Sequence, residues 1–266
     1  MNQADELRFE RQGGVARIIL NRPDKLNALN FRMIQGVTDY VRQCELDDDL
    51  RVIVITGAGR AFSSGDDIVG GMGEPPGGVS WRGRLSANRG PHYDLIKTLM
   101  SVPKPVVAAL NGRCHGAGWV MALACDFRVA RADALLGDIR SEKAIFANQG
   151  VGLMLPRLIG QSRAMDLLMT GRVIDAAEAE RFGIVVRVWP PQTWEQDLAA
   201  FVDGLASGPT RTYAGWKLTI NHSMLMELDG YTDYERWANQ ALGQTEDGQE
   251  GRRAFQEKRR PRFVGR

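Results

Sequence analysis

Apolar positions open the chain in two short runs. Leu7 to Glu10 and Val15 to Leu20 ("VARIIL") predict two strands joined across the Gly13-Gly14 turn. Pro23 and the polar stretch "NRPDKLNAL" then break the pattern. From Phe31 to Cys44 the apolar residues Met33, Ile34, Val37 and Val41 recur at helical spacing, and Asp47 to Asp49 close that helix. "VIVIT" (Val52 to Thr56) is a continuous β-branched run, as expected of a strand covered on both faces. Gly57 to Gly65 reads as a loop. Ile68 to Gly90, rich in Gly and Pro, reads as a mobile flap (residues 69–90) or a locally disordered connection. Leu95 to Met100 predicts a helix, "PKPVVAALNG" a second buried strand, Gly118 to Ala124 a short helix, and Asp126 to Ala130 ("DFRVA") a strand. Beyond Asp175 the pattern turns helical in "DAAEAERFG", "TWEQDLAAFVDGL" and "DYERWANQAL". Ser207-Gly208-Pro209 is the clearest break, dividing a core of residues 1–206 from a helical region of residues 207–266. Alternating strands and helices predict an α/β fold with a largely covered sheet.

Composition acts here mainly by exclusion. With 34 basic and 32 acidic residues the formal charge is +2, which argues against a dedicated nucleic-acid surface. The only basic concentration is terminal, at Arg252-Arg253 and Lys258-Arg259-Arg260. Cys44, Cys114 and Cys125 have no metal-ligand spacing and leave an odd thiol in any disulfide scheme. The start "MNQADELRFE" lacks a signal-peptide pattern, and no apolar run approaches the roughly 18 residues of a membrane span. These features predict a cytoplasmic protein with reduced thiols, no membrane contact and no bound metal.

Two glycine-bearing junctions carry the candidate chemistry. "GRAFSSGDDI" (Gly59 to Ile68) follows the strand VIVIT, and "GRCHGAGW" (Gly112 to Trp119) follows PVVAAL. A dinucleotide fingerprint fits the second poorly, because Met121 stands where the third glycine belongs. Each junction instead offers backbone N–H groups beyond a strand end, the second at a helix N-terminus. One N–H from each would form an oxyanion hole for a carbonyl becoming an enolate or a tetrahedral anion. The plainer alternative is that Gly65, Gly116 and Gly118 only permit tight turns.

"NRPDKLNAL", "VIVITGAGRAFSSGDDI", "KPVVAALNGRCHGAGWVMALACDFRVA" and "AFQEKRRPRFVG", in this order and spacing, resemble the enoyl-CoA hydratase/isomerase (crotonase) family over nearly the whole chain. The resemblance implies a repeated ββα spiral core and a C-terminal helical region that forms a homotrimer, or a dimer of trimers. It implies an acyl-CoA substrate, with coenzyme A present as part of the thioester and no tightly bound cofactor. Carried over by position, the oxyanion donors fall on Asp66, just after Gly65, and on Ala117, just after Gly116. The CoA-contacting loop falls on Lys25 to Leu29, including Asn27 and Ala28. Ser64 and Ile68 match positions near adenine and pantetheine, and Lys258 and Phe263 lie in the tail that reaches a neighbouring subunit's CoA.

The chain departs from the family at its acids. Hydratases that it resembles use two glutamates, and here Val120 and Arg140 stand at those positions. General acid–base groups contribute about 10² to 10⁴ in rate each, so simple hydration is not expected, whereas enolate stabilisation by backbone donors is untouched. Asp66 is one replacement candidate, with a solvated loop aspartate as the alternative. Asp138 lies in the segment that normally supplies the second acid, and Glu142 follows it with Arg140 or Lys143 as a salt-bridge partner. His115 is either a base or a packed histidine. Arg140 either binds a substrate carboxylate or pairs with Asp138 or Glu142. Trp81 and Trp119 are candidates for an acyl pocket, with core packing the plainer reading of Trp119. The expected function is an acyl-CoA enzyme of non-standard reaction: isomerisation, decarboxylation or hydrolysis. A non-catalytic acyl-CoA-binding protein is the competing class.

Overall fold

A computed structural model describes residues 6–73, 90–147, 149–223 and 226–266. β1 (Leu7–Gln12) and β2 (Val15–Leu20) form the antiparallel hairpin expected at the Gly13-Gly14 turn. α1 (Phe31–Leu46) begins where Asn30 accepts a hydrogen bond from the Met33 N–H at 2.9 Å and caps the first turn. It runs two residues past the predicted Cys44 end. β3 (Val52–Gly57), β5 (Val106–Leu110), β7 (Phe127–Arg131) and β10 (Arg187–Trp189) extend β2 as a parallel array, giving the order β1-β2-β3-β5-β7-β10.

The two faces of this sheet explain its continuous apolar strands. Ile53 and Ile55 of β3, with Val106, Ala108 and Leu110 of β5, enter the main core. Val52 and Val54, with Val107, Ala109 and Val129, enter a second core against Trp194, Leu198 and Val202. Those three belong to α7 (Trp194–Ala206). Successive residues alternate between cores because strand side chains alternate between faces.

Residues predicted as loop contain a second sheet. β4 (Ala61–Ser63), β6 (Arg113–His115), β8 (Leu135–Gly137) and β9 (Ile174–Asp175) pair in the order β4-β6-β8-β9. These strands have three residues or fewer, too few for a period-two pattern to emerge from the sequence. The chain passes from β3 to β4, β5 to β6 and β7 to β8, placing one strand of each turn in each sheet. This is the α/β spiral that the resemblance implies.

Helices fill the remaining positions. α2 (Gly90–Ser101) starts five residues before the predicted Leu95, because the polar first turn Pro91-His92-Tyr93-Asp94 hides the apolar period and Pro is acceptable at a helix start. α3 (Gly116–Leu123) starts two residues before the predicted Gly118 and is buried on every side, as an all-apolar helix must be. α4 (Val151–Ile159) and α5 (Gln161–Thr170) follow β8, and α6 (Ala176–Arg181) follows β9. The predicted flap is described only at its ends: Trp81 and most of residues 69–90 lie outside the described residues.

The predicted break at Ser207 to Pro209 falls between α7 and α8 (Thr210–Ser223), which is followed by α9 (Leu228–Gly243) and α10 (Glu246–Gln256). This region is tied back to the core. Arg51 donates to the carbonyls of Gly208 and Phe263 and to Thr210 Oγ1. Lys217 Nζ meets Asp126 Oδ2 at 2.8 Å, and Asn221 donates to the Met100 carbonyl at 2.9 Å. Among the described residues no helix is long and apolar enough to cross a membrane.

Candidate active site

The short sheet delivers its loops to one place. Ser63, the last residue of β4, donates to the Asn27 carbonyl at 2.9 Å and accepts from the Gly65 N–H at 3.1 Å. The segment Lys25 to Leu29 is laced to this loop: Ser64 N–H donates to the Leu26 carbonyl, Leu29 N–H to Gly65, and Asp67 N–H to Leu29, all at 2.8–2.9 Å. Asn27 is fully buried, its amide donating to Ala58 and Ala61 while its oxygen accepts from the Arg22 N–H. It holds the turn through its side chain. Ala28 and Leu29 are also buried, whereas the Lys25 side chain and Ile68 are exposed.

The second junction abuts the first. Gly65 has φ +97°, and a methyl group built on it would lie 3.1 Å from the His115 carbonyl oxygen and 3.3 Å from the Ala117 nitrogen. At Gly118 a methyl group would lie 2.5 Å from Ser63 Cβ, so only glycine lets α3 approach β4 this closely. The N–H groups of Asp66 and Ala117 sit on these touching segments, and neither has a partner among the described residues. That of Ala117 is unpaired because the first turn of a helix leaves its donors unsatisfied. Two unpaired donors on abutting backbone form an arrangement able to receive a negatively charged oxygen.

The acidic candidates differ sharply in how they are engaged. Asp67 is buried and bonded to Arg22 Nη2 at 2.7 Å and to the Gly70 N–H at 2.6 Å. Burial alone would raise its pKa, but the Arg22 and Gly70 hydrogen bonds prevail and hold the carboxyl below its ordinary range. Asp138 is buried, and both of its oxygens are taken by Arg140, Oδ1 by Nε at 2.7 Å and Oδ2 by Nη2 at 2.6 Å. Of the partners expected for Arg140, the structure places Asp138 in this bidentate pair, and Gln149 Oε1 accepts from Nη1 at 3.3 Å. Glu142 and Lys143 are exposed on the following turn. Asp66 lies between these extremes, with Oδ1 2.8 Å from His92 Nε2.

His115 is paired in register with Gly137, which brings Asp138 beside the second junction. Its Nε2 is buried without a hydrogen-bond partner among the described residues. Burial, followed by the charges of Arg113 and Lys143, lowers its pKa against a smaller opposing pull from Asp138. Val120 and Trp119 are buried in the main core. Lys258 and Phe263 follow α10, where the Phe263 carbonyl accepts from Arg51. No recorded contact among the described residues joins them to Asp66 or Ala117.

Sequence reasoning missed His92, Tyr93 and Gln149. The first turn of α2 sets His92 on Asp66, while the Tyr93 hydroxyl accepts from the Gln149 N–H at 3.4 Å. α2 thus links the oxyanion-type loop to the Asp138–Arg140–Gln149 network. No local motif announces these residues. The one available signal was a histidine and a tyrosine adjacent in a polar helix start.

Comparison with known proteins identifies the family and the fold. The sequence profile of the enoyl-CoA hydratase/isomerase family matches residues 10–266. A 1,2-epoxyphenylacetyl-CoA isomerase of Escherichia coli is 33% identical over 252 residues, covering 95% of each chain. The crystal structure of an enoyl-CoA hydratase subunit I from Geobacillus kaustophilus superposes with a TM-score of 0.88 at 33% identity, covering 98% of both chains. An enoyl-CoA hydratase of Bacillus anthracis gives 0.85 at 30% identity, with 98% of this chain and 100% of that one covered. The fold is therefore the crotonase fold, and the chain belongs to the enoyl-CoA hydratase/isomerase family.

Proposed function

We propose that this protein is an acyl-CoA enzyme that binds the thioester carbonyl oxygen between the N–H groups of Asp66 and Ala117 and stabilises an enolate-like anion there. The observation that carries the proposal is the pair of N–H groups without a partner among the described residues, on segments so close at Gly65 that a methyl group there would lie 3.3 Å from the Ala117 nitrogen. Donors fixed at strand and helix ends need little reorganisation as charge develops, which makes such a site effective. CoA would run along Lys25 to Leu29, Ser64 and Ile68, with Lys258 and Phe263 supplied by a neighbouring subunit. The coenzyme leaves with the product, so no resident cofactor is required. Three unpaired thiols fit a reducing, cytoplasmic compartment.

The reaction is not hydration of a simple enoyl chain. Val120 is buried hydrocarbon at one usual glutamate position, and Arg140 at the other is committed to Asp138. Both isomerase and hydratase names occur among the relatives, so it is the residues at positions 120 and 140 that weigh against addition of water. Crotonyl-CoA hydration should consequently be near background although CoA thioesters bind. Ala117→Pro deletes one donor at a first-turn position where proline is tolerated. It should lower turnover of any accepted thioester by about 10²–10³ while circular dichroism remains native. Robust crotonyl-CoA hydration, or undiminished turnover in Ala117→Pro, would overturn this reading. Binding of thioesters without turnover of any would establish the non-catalytic alternative, which the two missing glutamates favour.

A further inference from the structure

Resting on the acyl-CoA reading, we propose that the Asp66 carboxylate is the proton-transferring group of this site and His92 its positioning residue, for the double-bond shift of an enoyl thioester that the family's isomerases perform. The argument begins with two adjacent aspartates that have opposite engagements. Asp67 is consumed by structure, bonded to Arg22 and to the Gly70 N–H. Asp138 is consumed likewise, with Arg140 on both oxygens. In Asp66, Oδ1 is held by His92 Nε2 at 2.8 Å, and Oδ2 has no partner among the described residues. One oxygen fixed and one free is the arrangement a carboxylate base requires: held in orientation, yet with a lone pair available.

Placement supports the same role. Asp66 contributes both the main-chain N–H proposed as an oxyanion donor and the side chain one bond away, so its carboxylate cannot be far from a carbonyl bound there. The Asp66 and His92 side chains remain 25% and 18% exposed, which leaves them reachable by a substrate. The imidazole is itself braced, its ring meeting Phe31 edge-on at a 6.0 Å centroid distance. Phe31 opens α1, and its N–H is fixed on the Met72 carbonyl at 2.9 Å. Hydrogen bonding to a carboxylate assigns the His92 proton to Nε2. His115 is the rival base, but it is more deeply buried and its depressed basicity suits packing better than proton abstraction.

The step balances without a co-reactant. A lone pair on Asp66 Oδ2 takes a proton from the carbon between the thioester carbonyl and a 3,4 double bond. The C–H electron pair becomes the dienolate, and its oxygen charge rests on the two N–H donors. The carboxylic acid then returns the proton to carbon 4, giving the 2,3 double bond and restoring the carboxylate. No water, oxidant or reductant enters.

The test uses trans-3-hexenoyl-CoA with the full-length protein, binding measured by calorimetry and formation of the conjugated 2-enoyl isomer by ultraviolet absorbance. Wild type should convert the probe. Asp66→Asn, which keeps size and the main-chain donor, should lower kcat by about 10² or more with KM changed less than about threefold. His92→Ala should lower kcat by about tenfold, and His92→Gln, which can still donate to Oδ1, should recover most of the loss, a rescue that a purely packing role would not show. An unchanged kcat in Asp66→Asn, or wild type that binds the probe without converting it, overturns the proposal alone. Failure to bind either the probe or free CoA overturns the acyl-CoA reading beneath it.

Discussion

His115 shows how much one side chain can reveal about its surroundings. Its native pKa is depressed, chiefly by burial, so the unfolded chain takes up a proton at a pH where the native protein does not. Stability therefore falls as pH drops below about 6.5 and continues to fall until the native pKa is reached. Melting temperatures recorded from about pH 7 to about pH 5 should decline less steeply in His115→Gln than in wild type, and parallel curves would remove this account. The sequence exposed part of this residue-level picture. Gly65, Asp66, Gly116 and Ala117 were legible because their motifs are local and ordered. Asp138 and Arg140 were legible as neighbours two positions apart. His92 was not, because it lies 26 positions from Asp66 in the sequence and meets it only once α2 has folded against the loop.

At the scale of elements, legibility followed length. The apolar runs of β2, β3 and β5 announced themselves, whereas β4, β6, β8 and β9 are too short for periodicity yet are the strands that aim the site. The starts of α2 and α3 were placed late for a related reason, since polar and glycine residues in a first turn do not look helical. One contact between elements is open to direct test. A Gly118→Ala methyl group would overlap Ser63 Cβ at 2.5 Å, and both elements are buried. Relieving that overlap means moving α3 off β4, at a cost of about 1–3 kcal/mol. Denaturant unfolding should show a loss of this size together with weaker thioester binding. Wild-type stability in the variant would mean that α3 and β4 are less tightly apposed than described.

The whole molecule presents more apolar surface than a solitary chain ordinarily keeps. Trp216, Ile220, Leu228, Trp237 and Phe255 are all more than half exposed, all on helices that follow Gly208. Exposed apolar side chains concentrated on one set of helices are the kind of feature that association covers. We expect light scattering at micromolar concentration to report a trimer or a multiple of it. Trp216→Glu combined with Trp237→Glu should shift the population towards smaller species. A wild-type monomer that binds CoA normally would contradict both the proposed assembly and the sharing of Lys258 and Phe263 between subunits. The loop between α7 and α8 was visible in the sequence as a Ser-Gly-Pro break. The anchoring of the tail through Arg51, Lys217 and Asn221 was not, since each contact spans more than ninety residues.

β4 and β6 are parallel neighbours in the short sheet, and Asp66 and Ala117 follow their respective ends. The proposed donors lie within three residues of the ends of these two strands, whose spacing is about 4.8 Å. Two nitrogens that far apart can both stand about 2.9 Å from one oxygen. The short sheet works as a gauge block for the proposed anion seat, and the close fit of Gly118 on Ser63 keeps the two loops at that width. Positions 66, 120, 138 and 140 are then free to drift in chemistry without altering that width. On the proposed reading, loss of the hydratase acids and retention of the carbonyl seat are therefore compatible within one fold.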